Sequence, residues 1–153
     1  MTAVTRVALV DSGGANIGSV TYALERLGAT ARLTSDRGDI LAADRVILPG
    51  VGAAAEGMRR LREADLVDTL REVQAPLLGV CLGMQLLLEA TEEDGGVAGL
   101  GLVPGEVVAI PPAPGVRVPH MGWNALEDLA DDPLLRGVEE GARAYFVHSY
   151  AAP

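Results

Sequence analysis

The chain has 153 residues, 49% of them hydrophobic, with a single cysteine and a net charge of −9. That length holds one domain with a real core and is too short for two ordinary ones. All twelve basic residues are arginines scattered among acids, which excludes a basic stripe for nucleic acid or an anionic membrane, and one cysteine forms no internal disulfide, which fits a reducing cytoplasm.

Residues 6–11, RVALVD, are β-branched and run into the glycine-rich SGGAN, so they read as a buried strand ending in a loop. From Asn16 the pattern turns helical: Val20, Ala23, Leu24 and Leu27 recur at helical spacing, and Gly28 closes the helix. TARLTS is a second strand and RVILPG a third. The stretch AAAEGMRRLREADLVDTLREV is helical with a break near Asp65, and PLLGV is a fourth strand feeding a helix-like run through LGMQLLLEA. Its apolar stretch, about residues 76–88, contains Gln85 and is shorter than the roughly 20 residues a membrane-spanning helix needs. The N-terminus MTAVTRVALVD has no extended apolar core before a cleavage site. After Gly95 come strand-like GEVVAI, a proline-rich bend IPPAPGVRVPH that reads as a rigid surface loop, then GWNAL and AYFVHSY, with no further helix of comparable length. Apolar strands alternating with helices predict an α/β fold with a doubly wound, mainly parallel sheet, helices on both faces, and ligands bound at the carboxyl ends of the strands.

Cys81 stands where the fourth strand meets its helix, framed by Gly79 and Gly83. This is the pattern of a nucleophile elbow: a sharp strand-to-helix turn that exposes the central side chain, with small residues two before and two after to allow close chain approach. A sulfur at a helix N-terminus is favoured as the thiolate, the form that attacks a carbonyl carbon. A lone cysteine is more often a small buried hydrophobe, so the case depends on its neighbours. An oxyanion needs the N–H after the nucleophile, here Leu82, and a second N–H from another strand–helix loop, for which Leu48–Gly52 is the candidate. The SGGAN loop opens on the same sheet edge, where Asn16 caps its helix or faces a ligand or partner.

PLLGVCLGMQLLLEA, ILPGVGA, PHMGWN and YFVHSY, in that order, resemble the glutamine amidotransferase subunits of imidazole glycerol phosphate synthase. The elbow alone matches only the wider class I, triad-type superfamily, whereas PHMGWN followed by YFVHSY is more specific. VDSGGANIGSV resembles the family's N-terminal loop, with Ser12 in place of the usual Tyr and Ala15 in place of the usual Gly. The resemblance implies a flavodoxin-like fold, no cofactor and no metal. It implies that L-glutamine forms a thioester on the nucleophile Cys81, with an oxyanion hole at Val51, Gly52 and Leu82. Gly50, Gly52, Gln85, His148, Ser149 and Tyr150 would hold the substrate. Ammonia would pass to a cyclase subunit, a (β/α)8 barrel, met through Asn16, Trp123 and Tyr145. For Trp123, the chain's only tryptophan, a place in the core is an equal expectation.

The family's triad takes its His and Glu from a later His-Pro-Glu motif that these 153 residues do not contain. The two histidines present, His120 and His148, are not the family's general base; His148 reads as structural or glutamine-binding and His120 as a loop or interface residue. The expectation is a single amidotransferase domain over 1–153, incomplete at its C-terminal end, poorly stable and inactive alone. Two other readings remain at this stage: the amidotransferase of another biosynthetic synthase, which PHMGWN disfavours, and a catalytically dead scaffold for a cyclase-like barrel.

Overall fold

The computed structural model describes residues 4–13 and 17–152. It divides into two compact units, one running to Val108 and one comprising Ala109–Ala151. The first unit carries a four-stranded parallel sheet in the order β2-β1-β3-β4, formed by β1 (Arg6–Val10), β2 (Thr30–Thr34), β3 (Arg45–Gly50) and β4 (Leu77–Cys81). Its helices are α1 (Ile17–Arg26), α2 (Arg37–Leu41), α3 (Ala54–Glu63), α4 (Val67–Glu72) and α5 (Leu82–Leu86). Strand order reverses on either side of β1, which is the doubly wound arrangement predicted from the β–α alternation.

Period-two alternation along the strands sends side chains to opposite faces. Ala8, Val10, Val46 and Leu48 share one core with Ile40 of α2, Met58 and Leu61 of α3, Leu70 of α4, and Leu82 and Leu86 of α5. Val7, Leu9 and Ile47 point the other way, where Ile17, Val20 and Leu24 of α1 pack on them. Helices therefore cover both faces, and the strands read as continuous apolar runs for that reason.

The helix ends follow their punctuation. Gly28 takes φ 74°, and the amides of Gly28 and Ala29 donate to the carbonyls of Glu25 and Leu24. This paired closure ends α1 at Arg26 and leaves Leu27 81% exposed, so the expected apolar face stops one turn earlier than the periodicity suggests. Asp65, at φ 56°, does the same between α3 and α4: the amides of Asp65 and Leu66 donate to Arg62 and Leu61, while both leucines are buried. The expected break near Asp65 is thus a capped turn in the left-handed conformation.

Two elements differ from expectation. Arg37–Leu41 forms α2, a short helix capped by the Asp36 carboxylate accepting from the Asp39 amide. The helix after Cys81 ends at Leu86, and Leu88–Thr91 becomes strand β5. Leu88 and Thr91 are buried where β5 pairs with β6 (Val97–Ala98) and with β7 (Val103–Ala109), so strand pairing overrides the helical propensity of LLLEA. In the second unit, β8 (His120–Ala125) and β9 (Arg143–His148) form an antiparallel hairpin, followed by β10 (Tyr150–Ala151). No helix among the described residues is long and apolar enough to cross a membrane.

Leu61→Ala removes a fully buried side chain from the α3–α4 junction and is expected to destabilise the chain by about 2–5 kcal/mol, whereas Asp65→Gly, relieving a non-glycine left-handed residue, should stabilise it by about 1 kcal/mol. Urea denaturation of the two variants checks both signs.

Candidate active site

β3 and β4 run side by side in parallel, with Gly50 paired to Cys81. The carboxyl ends of the two strands therefore bring the Gly50–Gly52 segment beside the cysteine. Cys81 is at once the last residue of β4 and the N-cap of α5, with φ 56° and ψ −120°. That backbone is strained for a residue with a Cβ, and such strain costs on the order of 1–3 kcal/mol unless surrounding structure enforces it. The side chain is exposed.

The enforcing structure is a set of glycines. A Cβ on Gly83 would lie 1.9 Å from the Leu48 carbonyl oxygen, and one on Gly79 would lie 2.4 Å from the Cα of Met84. At Gly50 a Cβ would meet the Gly83 amide nitrogen at 2.6 Å. Backbone thus packs on backbone at three points around Cys81, leaving no room for the turn to relax. Leu82 and Gly83 are buried within this packing, and Gln85 lies half-buried one helical turn beyond Cys81.

Gly52 has φ 89°, open to glycine and strained for other residues, while Val51 is half-exposed. The loop then enters α3, whose N-cap, Ala53, has no side chain able to cap it. Glu93 supplies the missing acceptor from 39 residues away: its Oε2 accepts from the Ala54 amide at 2.8 Å. Sequence reading missed Glu93. The bare Ala53 cap signalled that some acceptor was needed, but not which of the chain's acids would fold onto it. Further along α3, Glu56 sits between Arg59 and Arg60, whose hydrogen bonds hold its carboxyl down to about 2. Because this folded-state value lies below the ordinary 4.5, any contribution from these pairs is present above 4.5 and fades as pH falls toward 2.

The remaining expected site residues lie in the second unit, except Asn16, which falls outside the described residues. Trp123 and Tyr145 are cross-strand partners with ring centroids 5.5 Å apart at 70°, and both are exposed (61% and 53%). Trp123 is therefore a surface aromatic, contrary to the equal expectation of a core position. Met121 and Val147 flank them on the same exposed hairpin face. The opposite face carries His120, Phe146 and His148, all half-buried, with His148 opening the His148–Tyr150 segment.

If the glycine packing imposes the strain, Cys81→Gly should raise stability by about 1–3 kcal/mol over Cys81→Ala, since only glycine adopts φ 56°, ψ −120° without penalty. Thermal unfolding of the two variants reads the difference; equal midpoints would show that the turn carries no strain.

The family described as glutamine amidotransferase class-I matches residues 8–153. Among curated relatives, the imidazole glycerol phosphate synthase subunit HisH of Xanthomonas axonopodis pv. citri (strain 306) is 62% identical over 149 residues, covering 97% of this chain and 74% of the relative. The HisH subunit of Xylella fastidiosa (strain Temecula1) is 59% identical with the same coverage. In fold, a solved glutamine amidotransferase superposes with a TM-score of 0.69 at 20% identity, covering 95% of this chain and 72% of that one. A glutamine amidotransferase from Thermotoga maritima gives 0.61 at 16%, covering 99% and 63%. With the strand order, the strained elbow cysteine and these relatives in agreement, the chain belongs to the class-I glutamine amidotransferases, in the family of the HisH subunits of imidazole glycerol phosphate synthase.

Proposed function

We propose that this chain is the glutaminase component of an imidazole glycerol phosphate synthase, working in the cytoplasm in histidine biosynthesis. The observation that carries the reading is the backbone of Cys81, held at φ 56° with Gly50 directly alongside. The Cys81 thiolate attacks the carboxamide carbon of glutamine, a C–S bond forms, and the C–N bond breaks as the nitrogen takes up a proton and leaves as ammonia. Water then cleaves the thioester to release glutamate and restore the thiol. Amides at Val51, Gly52 and Leu82 serve the oxyanion, and a fixed donor there is worth about 2.7–4 kcal/mol in such reactions. Gly50, Gly52 and Gln85 on one unit, and His148, Ser149 and Tyr150 on the other, are assigned to glutamine by the family pattern.

The partner is a cyclase subunit with a (β/α)8 barrel, which receives the ammonia and makes imidazole glycerol phosphate and aminoimidazole carboxamide ribotide. Asn16, Trp123 and Tyr145 are the residues proposed to meet it, and the exposure of the last two supports that assignment.

Within the 153 residues, the base that would complete the triad is not supplied by either histidine. His148 uses one ring nitrogen on the Tyr150 carbonyl and the other on His120. Loss of a positioned base lowers the rate by about 10² to 10⁴. The turnover described above therefore needs a base from outside these 153 residues, which by themselves are expected to be labelled at Cys81 by a glutamine-like electrophile, with labelling abolished by Cys81→Ser, yet to release no ammonia catalytically. Mass spectrometry of the modified protein and a coupled ammonia assay, with and without a cyclase subunit, test the two statements separately; full turnover would disprove the second.

A further inference from the structure

In the first unit, one side chain ties the loop that follows β1 to α3. Arg60, midway along α3, donates through Nη1 to the carbonyl oxygen of Gly13, 47 residues away in the chain. Its Nε donates to Glu56 Oε1 at 2.7 Å, so the guanidinium reaches from its own helix to the loop. The two contacts support each other. A guanidinium is planar and rigid, and a carboxylate one helical turn earlier fixes the plane in which its outer nitrogens point. The Arg60 side chain is 35% exposed, against 49% or more for the arginines of the other described ion pairs, so its charge is the least screened of the set.

Gly13 is held at its other polar group as well. Its amide donates to Asp11 Oδ1 at 3.0 Å, and the Asp11 amide donates to the Thr34 carbonyl at 2.9 Å, which continues the β1–β2 pairing past the end of the strand. Gly13 takes φ 73° with open space where a Cβ would stand, so backbone conformation and not crowding calls for glycine there. Water could serve both polar groups of an exposed glycine. Here side chains do so instead: Asp11 sets the local bend, and Arg60 alone relates that bend to α3. The Gly50–Gly52 loop also enters α3, so the loops leaving the neighbouring strands β1 and β3 are both referred to one helix.

Asn16, assigned above to the cyclase interface, follows Gly13 three positions later in the sequence. We propose that Arg60 is a positioning residue for partner docking: it holds the start of the loop after β1 against α3, so the cyclase meets a surface whose approach is already fixed. Fixing a loop before association removes part of the ordering cost that binding otherwise carries. The inference rests on the glutaminase reading, which supplies the partner, and extends it to a side chain that in this scheme touches neither partner nor substrate.

The 153-residue chain and three variants test it, with two readouts: the ¹³C shift of the Gly13 carbonyl, and the Kd for the cyclase subunit by calorimetry. Arg60→Met keeps the apolar stem and removes every donor. It should move the Gly13 carbonyl resonance upfield and raise Kd by about three- to tenfold, as expected for one lost hydrogen bond. Arg60→Gln, a shorter side chain that still meets Glu56 but falls short of Gly13, should do the same and gives an independent reading if Arg60→Met folds poorly. Glu56→Gln leaves an acceptor for Arg60 and keeps the loop contact, so its Kd and Gly13 shift should match those of the unsubstituted chain. A Gly13 carbonyl unmoved in both Arg60 variants, or an unchanged Kd in both, would overturn the proposal. So would a loss of affinity that is as large in Glu56→Gln and follows the thermal unfolding midpoint, since Arg60 would then serve stability alone. Failure of the unsubstituted chain to bind the cyclase would instead sink the glutaminase reading, and the docking role with it.

Discussion

The contact on which the rest of the active unit depends is the packing of the Gly83 backbone against the carbonyl of Leu48, so close that a Cβ would lie 1.9 Å from that oxygen. It joins the start of α5 to the end of β3 and so sets how far β4 can run before it must turn. Gly79 and Gly50 complete the clamp from the other sides. Strain at a single residue persists only where its surroundings over-determine it, and here three backbone-to-backbone approaches leave Cys81 no alternative to φ 56°. The apolar core beneath supplies the support: Leu48, Leu82 and Leu86 are buried together with Met58 and Leu61 of α3.

The same packing relates Cys81 to the loop beside it. Parallel pairing of β3 with β4 puts Gly50 opposite Cys81, and the loop that leaves Gly50 turns through Gly52 into α3. Since Ala53 cannot cap that helix, Glu93 does so, which ties the loop's far end to the segment that follows β5. The loop beside Cys81 is thus anchored at both ends, by strand register and by a carboxylate distant in sequence. Preorganised donors are effective in catalysis because they need no rearrangement when charge develops, and an anchored loop meets that requirement for the oxyanion role proposed for it.

The second unit uses one hairpin for two surfaces. Alternation along β8 and β9 places Met121, Trp123, Tyr145 and Val147 outward, and His120, Phe146 and His148 on the reverse face. An apolar and aromatic face of this kind is the composition of protein–protein contact surfaces. A polar network with every member bonded, such as His120–His148–Tyr150, rigidifies the strand that carries it. PHMGWN combines both roles because adjacent strand residues point opposite ways.

Sequence alone determined the doubly wound sheet, the elbow at Cys81 and the family, because those rest on local signals: apolar runs of strand length, glycines two residues either side of a cysteine, and helix-ending Gly28 and Asp65. It also showed which side chains were candidates for chemistry. Only the tertiary structure decided how those signals were used. It ended α5 at Leu86, since Leu88 and Thr91 are buried in strand pairing. It turned Trp123 outward and paired His120 with His148, because face and partner are set by the register of strand residues more than twenty positions apart in the chain. And it chose Glu93 as the cap of α3, a long-range hydrogen bond with no local sequence signature. Local preferences are written in neighbouring residues, whereas contacts between distant residues exist only once the chain has closed on itself.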